Sequence, residues 1–246
     1  MVKLTTRLVN QPPNSEEMDK VLIIVNADVR SGGKISKLLP VTERMVNGLK
    51  QAIPASVSVE VMSAACLWSK AENLKPGKHN IIWCPLTIQL PHWLDFPARD
   101  IYQKCRNIEE RRLWVQQNLH YQTTLGESWL GDLWLPIVLT KKGPLYGEVI
   151  GEGMIPNSYT QPAEIDAEIK AHLYHLSYKL LDNLKATPSV YLLQFGLAGK
   201  EIIFDRLWPF PATPAIASLG VQKPDLYACY WGTLTNQPIA DLMLAV

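Results

Sequence analysis

The sequence has 246 residues, of which 47% are hydrophobic and 19% charged, and its formal net charge is +1. So much apolar side chain at so low a net charge excludes a disordered chain, and 14 Gly and 18 Pro without a period exclude a collagen-like one. The balance of 24 basic and 23 acidic residues excludes a global basic field that would hold a nucleic-acid backbone. The composition is therefore that of a globular protein.

The apolar segments predict the compartment. The longest apolar runs, such as residues 21–25 and 134–139, are far shorter than the roughly 18 residues needed to cross a bilayer. Residues 1–10 contain no apolar core of signal-peptide length. We therefore expect a cytoplasmic protein without a membrane span.

The cysteines favour a structural role. They lack the C-x-x-C spacing of zinc and redox sites, and three of the four lie in apolar contexts. The four are Cys66, Cys84, Cys105 and Cys229. We interpret them as buried reduced thiols and expect no disulfide framework, no metal and no cofactor.

The first half predicts strands that alternate with helices. After an extended lead-in over residues 1–19, the aliphatic run at 21–25 is typical of a strand covered on both faces. Apolar residues repeat every four positions in a predicted helix over 41–53, which Pro54 ends. Strands follow at 57–61 and 79–88, which makes a βαβ-type succession.

A long helix is predicted over residues 97–120, because Ile101, Cys105 and Ile108 begin one apolar face. Its other faces carry basic residues interleaved with acidic ones. This pattern is typical of a solvated face with local ion pairs, and the alternative is a patch for an anionic partner. The basic residues are Arg99, Lys104, Arg106, Arg111 and Arg112.

The second half predicts a hairpin–helix–hairpin order. The long helix rests on a stripe of Ile and Leu at spacings of three and four, and the short helix begins at Thr213-Pro214. The elements are a hairpin over residues 134–150, a helix over 162–186, a hairpin over 190–207, a short helix over 213–220 and a strand over 226–234.

The predicted fold class is α/β (or α+β), with an N-terminal βαβ-type half followed by a hairpin–helix–hairpin half. The polar, aperiodic stretch at 121–131 predicts the boundary. The halves then cover residues 20–125 and 126–246, or they form one compact unit.

Three segments resemble catalytic motifs without completing them. Residues 31–34 (Ser-Gly-Gly-Lys) lack the upstream glycine and the following hydroxyl of a phosphate loop, so we interpret them as a plain loop, with a simple anion site at Lys34 as the alternative. Residues 126–131 have one residue too many for a nucleophile elbow. Glu168, His172 and His175 have helical spacing, and we interpret them as solvated. We therefore assign no catalytic residue.

Two glutamates lie in the most glycine-rich segment. Glu148 and Glu152 are four residues apart, so on an extended strand both side chains face the same side. Such a pair can hold a divalent ion or act in acid–base chemistry, and it can equally be two exposed residues beside turns.

Aromatic residues follow a cation near the end of the second hairpin. Trp208 and Phe210 alternate around Pro209, next to Asp205 and Arg206, in a segment expected to leave the sheet. Exposed aromatics on a stiff strand exit make a contact platform for a protein or a ligand. The alternative is a core corner sealed by aromatic rings.

The order of hairpin, long helix, hairpin and proline-marked short helix over residues 135–239 resembles the C-terminal portion of ATP-grasp ligases, especially the aminoimidazole-ribonucleotide carboxylase ATPase type. In that family a strand acidic residue and an Asn-Glu pair before an Ile-Ala-Pro stretch bind magnesium–ATP. The matching places here read Leu193-Gln194 and, over residues 205–209, Asp-Arg-Leu-Trp-Pro. The key glutamates of that family are replaced here. No upstream segment with a lysine that would bind the nucleotide is recognised. The resemblance therefore implies a degenerate site.

Because no complete catalytic motif is present, the leading hypothesis is a non-catalytic accessory, assembly or adaptor subunit. It would act on a protein partner through Arg206, Trp208 and Phe210 and through the mixed-charge helix. The alternative is an enzyme or degenerate enzyme that binds an anionic ligand or nucleotide. Its candidate residues are Lys34, Glu148, Glu152, Asp205 and Arg206. A third, weaker hypothesis is nucleic-acid binding through the basic residues of the 97–120 helix, which are Arg99, Lys104, Arg106, Arg111 and Arg112.

Overall fold

A computed structural model describes residues 20–30, 34–69, 81–126 and 130–245. Five of the sequence predictions lie wholly or partly outside these residues. They concern the lead-in over 1–19, the serine and two glycines at 31–33, the first two residues of the strand predicted over 79–88, the boundary stretch at 121–131, and the elbow-like segment that includes 127–129.

The N-terminal strands form a parallel sheet in the order β4-β1-β5. The whole run from Val21 to Val25 is buried, because both faces of this sheet are covered. Helix α1 begins with a proline, as helices often do, and buries Met45 and Leu49 on one face. The elements are β1 (Lys20–Val25), β2 (Asp28–Val29), β3 (Ile35–Lys37), α1 (Pro40–Ala52), β4 (Val59–Ser63), α2 (Ala64–Ser69) and β5 (Ile81–Pro85).

The helix predicted over residues 97–120 is two helices, α3 (Arg99–Arg106) and α4 (Ile108–Leu119). Asn107 leaves the helical conformation, with φ −83° and ψ 78°. Its side-chain oxygen accepts a hydrogen bond from the backbone N–H of Glu110 at 3.3 Å and so caps α4. The change of axis lets α4 turn Arg111 and Arg112 inward, and both are buried rather than solvated as predicted.

The second sheet has the order β10-β9-β7-β11-β12-β6, and β8 also pairs with β7. Its ladders are antiparallel except for the parallel pair of β12 and β6. The elements are β6 (Gln122–Thr123), β7 (Leu133–Thr140), β8 (Gly143–Tyr146), β9 (Ile150–Glu152), β10 (Tyr159–Thr160), α5 (Ala167–Leu184), β11 (Ser189–Ala198) and β12 (Glu201–Trp208). The fold class predicted from the sequence, α/β, is therefore confirmed.

The C-terminal segment corrects one prediction. Residues 226–234 form helix α6 (Leu226–Leu234), not a strand. The carboxylate of Asp225 accepts hydrogen bonds from the N–H groups of Tyr227 and Ala228, both at 2.9 Å, and so begins the helix. Around α6 lie a 3₁₀ helix (Thr213–Ser218) and the paired strands β13 (Gln222–Lys223) and β14 (Met243–Leu244).

The two faces of the second sheet belong to different hydrophobic clusters. One face carries Leu135, Leu193 and Leu207, which share a cluster with the buried residues of α4 and α5. The opposite face carries Trp134 and Leu192, which share a cluster with β1, α1 and α6. The N-terminal half therefore packs on one face of the sheet, and the division of the chain near residues 121–131 stays a prediction.

The described helices and thiols bear on two further predictions. Within residues 20–30, 34–69, 81–126 and 130–245, no helix is both long and apolar enough to cross a membrane. The cytoplasmic location stays a prediction. The four cysteines are buried thiols. Desolvation by burial raises the pKa of the Cys105 and Cys229 thiols to about 12, so neither is a thiolate nucleophile at neutral pH.

We expect Asp225→Ala to lower the free energy of unfolding by about 1 kcal/mol, because two N–H groups of α6 lose their acceptor. The measurement is urea denaturation followed by circular dichroism. Asp166→Ala is the matched control, since Asp166 precedes α5 but makes no side-chain capping bond. Equal losses in both variants would contradict the capping role of Asp225.

Candidate functional site

A cleft of about 460 Å³ lies between the parallel sheet and the second sheet. Asn26 and Thr87 line it; Asn26 directly follows strand β1, and Thr87 lies two residues after the end of β5. The carboxyl ends of parallel strands are the edge at which α/β proteins bind ligands. The other wall carries Trp134, Gln194 and Arg206, which are register partners on β7, β11 and β12.

A β-bulge sets the direction of Arg206. Gln194 pairs with Arg206, whereas Phe195 pairs with Phe204, so Asp205 is an extra residue on β12. Without the bulge, residues three apart would face opposite sides of the sheet. With it, Phe204 and Leu207 both join the cluster beneath α5, and Arg206 faces the cleft.

The Asp205 carboxylate is fully buried and surrounded by donors. Its Oδ1 accepts from Arg112 Nη2 at 2.5 Å and from Arg206 Nε at 3.1 Å, and its Oδ2 accepts from the N–H of Gly131 at 3.0 Å. Arg112 Nε also donates to the backbone oxygen of Asp205 at 3.0 Å. This network joins α4, the strand bulge and the loop that ends at Gly131.

Arg206 is held from two directions. Asp205 fixes its Nε, and the guanidinium carbon lies 5.7 Å from the centre of the Trp208 ring, within the range of a cation–π contact. Trp208 is itself fixed, because its Nε1 donates to Gln194 Oε1 at 2.9 Å. The Arg206 side chain is 14% exposed, and its terminal nitrogens make no hydrogen bond to another described residue.

Aromatic rings supply much of the remaining wall. Trp134 and Tyr159 make an edge contact at 5.5 Å, and Trp208 and Phe210 make another at 6.0 Å. Desolvation by burial, and then the charge of Glu152, raises the pKa of Tyr159 to about 12, so its hydroxyl stays protonated at neutral pH. Among the described residues that line the cleft, Arg206 is the one charged side chain.

The residues at this site do not fit a magnesium ion. Magnesium is bound through carboxylate oxygens and keeps an octahedral shell. Asp205 has no exposed surface and already accepts three hydrogen bonds, and Gln194 is neutral with its amide bonded to Gly131 and Trp208. No group of three or more His, Cys, Asp or Glu in the described part of the chain is arranged to hold a metal.

The other predicted ligand-binding residues lie away from the cleft. Lys34 is exposed beside β3 and does not line it. Glu148 forms an ion pair with Lys170 at 2.6 Å, whereas Glu152 accepts from the N–H of Asn157 at 2.9 Å. The two glutamates therefore have separate partners, because residue 148 precedes β9 and only residue 152 belongs to it.

The predicted arginines serve different purposes. Arg99 is half exposed and pairs with Asp95 and Asp100, and Arg106 donates to the backbone oxygen of Leu90 at 3.3 Å. Arg111 is buried with Asn183 and Glu110 as partners, and Arg112 holds Asp205. Since two of the four are buried, they do not form one exposed basic patch. A nucleic-acid partner stays a prediction.

The aromatic platform has a different setting from the predicted one. Strand β12 continues to Trp208, so this residue has not left the sheet, and it is half-buried at the cleft. Phe210 is 3% exposed and stacks on Tyr102 with ring centres 5.7 Å apart. The alternative, a corner sealed by aromatic rings, describes Phe210 correctly.

Sequence reasoning missed the residues that β1 and β5 bring to the cleft. Asn26 and Thr87 come within two residues of the ends of strands β1 and β5 in a βαβ-type segment, and that position was a usable signal. Tyr159 was missed as well, because the two-residue strand β10 has no sequence pattern of its own.

Several solved structures have a similar fold. Glycinamide-RNase-transformylase T from Mycobacterium tuberculosis has a TM-score of 0.63 at 12% identity, over 92% of this chain and 81% of that chain. N5-carboxyaminoimidazole ribonucleotide synthetase from Thermotoga maritima has a TM-score of 0.64 at 10% identity, over 92% and 78%. These neighbours are ATP-grasp-type enzymes. The chain has the ATP-grasp fold.

The ATP-grasp fold overturns the leading hypothesis from the sequence. A non-catalytic adaptor acting through protein contacts is wrong, because the similar structures are enzymes and include complexes with ADP and with ATP. The finding favours the alternative, an enzyme or degenerate enzyme that binds an anionic ligand or nucleotide. No family model and no curated protein matches this sequence.

Proposed function

We propose that the protein is a degenerate enzyme of the ATP-grasp fold that binds a small anionic ligand of the nucleotide class in the cleft. The observation that carries the proposal is Arg206, one cation in a wall of aromatic and neutral polar side chains. A guanidinium recognises phosphate through paired hydrogen bonds, and aromatic rings hold a planar base. The cavity of about 460 Å³ lies within the roughly 300–1,000 Å³ of small-molecule sites.

The solved neighbours support the ligand class. The N5-carboxyaminoimidazole synthase from Aspergillus clavatus was solved in complex with ADP and 5-aminoimidazole ribonucleotide, with a TM-score of 0.59 at 10% identity, over 91% of this chain and 78% of that chain. Both of those ligands combine a planar ring with phosphate. The cleft offers complementary surfaces to both parts of such a molecule.

The test is a thermal-shift measurement on the full chain with AMP, ADP and ATP in the presence of magnesium. A nucleotide at about a hundredfold excess over its Kd adds about 2.7 kcal/mol to the folded state, which raises Tm by several degrees. Adenosine is the matched control, because it keeps the base and ribose but lacks phosphate. We expect a much smaller shift with adenosine. Absence of a shift with every nucleotide would contradict the proposal.

A further inference from the structure

Gln194 and Arg206 face each other in the wall of the cleft, and this pair carries one positive charge. Gln194 and Arg206 are register partners on β11 and β12, so their Cβ atoms are about 4.5–5.5 Å apart and share one face. Two carboxylates at this spacing would attract a divalent cation. A guanidinium repels one, and the amide oxygen of Gln194 is already bonded to Trp208 Nε1.

We infer that the cleft binds its anion directly on Arg206, without a divalent cation, and that the ligand is a nucleoside monophosphate rather than a magnesium-bound triphosphate. This inference rests on the proposed function. Arg206 faces the cleft from strand β12 and supplies a permanent positive charge there.

The guanidinium is organised before the ligand arrives. Its Nε donates to Asp205 and its Cζ lies 5.7 Å from the centre of the Trp208 ring, so among the described residues the two terminal nitrogens have no partner that would compete with a ligand. Two parallel N–H donors match two phosphate oxygens. Because the side chain is already confined, little conformational entropy is lost when the ligand binds.

The number of charges selects the class of ligand. A phosphate monoester carries about −1.5 to −2 at pH 7, which a single guanidinium with neutral donors can accept. The neutral polar groups that line the cleft include Asn26, Thr87 and Gln89. A triphosphate carries more negative charge. Among the described residues that line the cleft, only Arg206 is positively charged, so the further charge would lack a partner there.

The experiment is isothermal titration of the full chain with AMP and with ATP, in EDTA and again with magnesium. We expect AMP to bind in EDTA with a Kd that magnesium leaves unchanged, and to bind more tightly than ATP. Arg206→Met should raise the Kd for AMP by about tenfold or more, because a charged hydrogen-bond partner is lost. Arg206→Lys keeps the charge but loses the paired donors of the guanidinium. Its Kd for AMP should therefore lie between those of the unaltered protein and of Arg206→Met.

Arg99→Met is the control variant, since Arg99 pairs with Asp95 and Asp100 away from the cleft. It should bind AMP as the unaltered protein does. Circular dichroism of each variant separates lost binding from lost folding, and the lysine variant keeps the inference testable if the methionine variant unfolds.

The outcomes separate the two proposals. AMP binding that requires magnesium would overturn the inference and leave the proposed function standing. Binding in EDTA that survives Arg206→Met would also overturn the inference. Absence of binding by any nucleotide, with or without magnesium, would overturn the proposed function and the inference together.

Discussion

Asp205→Ala should lower the free energy of unfolding by about 3–5 kcal/mol, the loss typical of removing one partner from a buried ion pair. Arg112 is buried and would keep its charge without the carboxylate that it contacts at 2.5 Å. The N–H of Gly131 would also lose its acceptor. Urea denaturation followed by tryptophan fluorescence measures the change.

Asp100→Ala is the comparison for this variant. Asp100 forms an ion pair with Arg99 at 3.3 Å, but its side chain is 74% exposed, and such pairs contribute about 0–1 kcal/mol. A loss below about 1 kcal/mol for Asp205→Ala would mean that the buried network does not hold the bulge together.

The double variant Gln194→Glu, Arg206→Glu should convert the cleft into a divalent-cation site. The two carboxylates would face each other across β11 and β12, at a separation suited to sharing one ion. Manganese binding, followed by electron paramagnetic resonance, should appear in the double variant. AMP should no longer bind in EDTA, because juxtaposed negative charges cost several kcal/mol, and manganese should restore binding.

The single variant Gln194→Glu serves as the matched control. Its new carboxylate faces Arg206, so we expect an ion pair and no manganese site. Equal manganese binding by the unaltered protein and by the double variant would show that the metal lies elsewhere. The charge of this one facing pair would then not decide the metal requirement of the cleft.

These variants change the charge of the residues that face the cleft. That charge differs from the acidic pattern that the resemblance to ATP-grasp ligases implies. The sequence resemblance placed Gln194 and Asp205–Arg206 at the family's acidic positions and implied a degenerate site. In the structure Asp205 belongs to a buried ion-pair network, and Arg206 faces the cleft.

Periodicity predicted the elements whose burial depends on one local pattern. The buried strand β1 follows from an unbroken aliphatic run, and α5 follows from a stripe at spacings of three and four. The same reasoning failed for α6, because a short apolar run is compatible with a buried strand or a buried helix. It also missed the interruption at Asn107. The side chain of this residue caps α4, so the predicted single helix is divided into two.

The direction of the site residues depended on contacts distant in sequence. Strand alternation alone would place Phe204 and Leu207 on opposite faces, and the bulge at Asp205 places them together. The residue that stabilises the bulge is Arg112, which lies 93 positions earlier. A charge pattern on α4 does not reveal that partner, so the sequence predicted a solvated arginine.

The sequence by itself determined the fold class, most strands and helices, and the replacement of the acidic residues, since these follow from local spacing and residue identity. Only the tertiary structure decided which side chains form the cleft, which arginines are buried and which one faces the cleft. The reason is that burial and charge pairing depend on distances between segments, and those distances are set when the two sheets pack together.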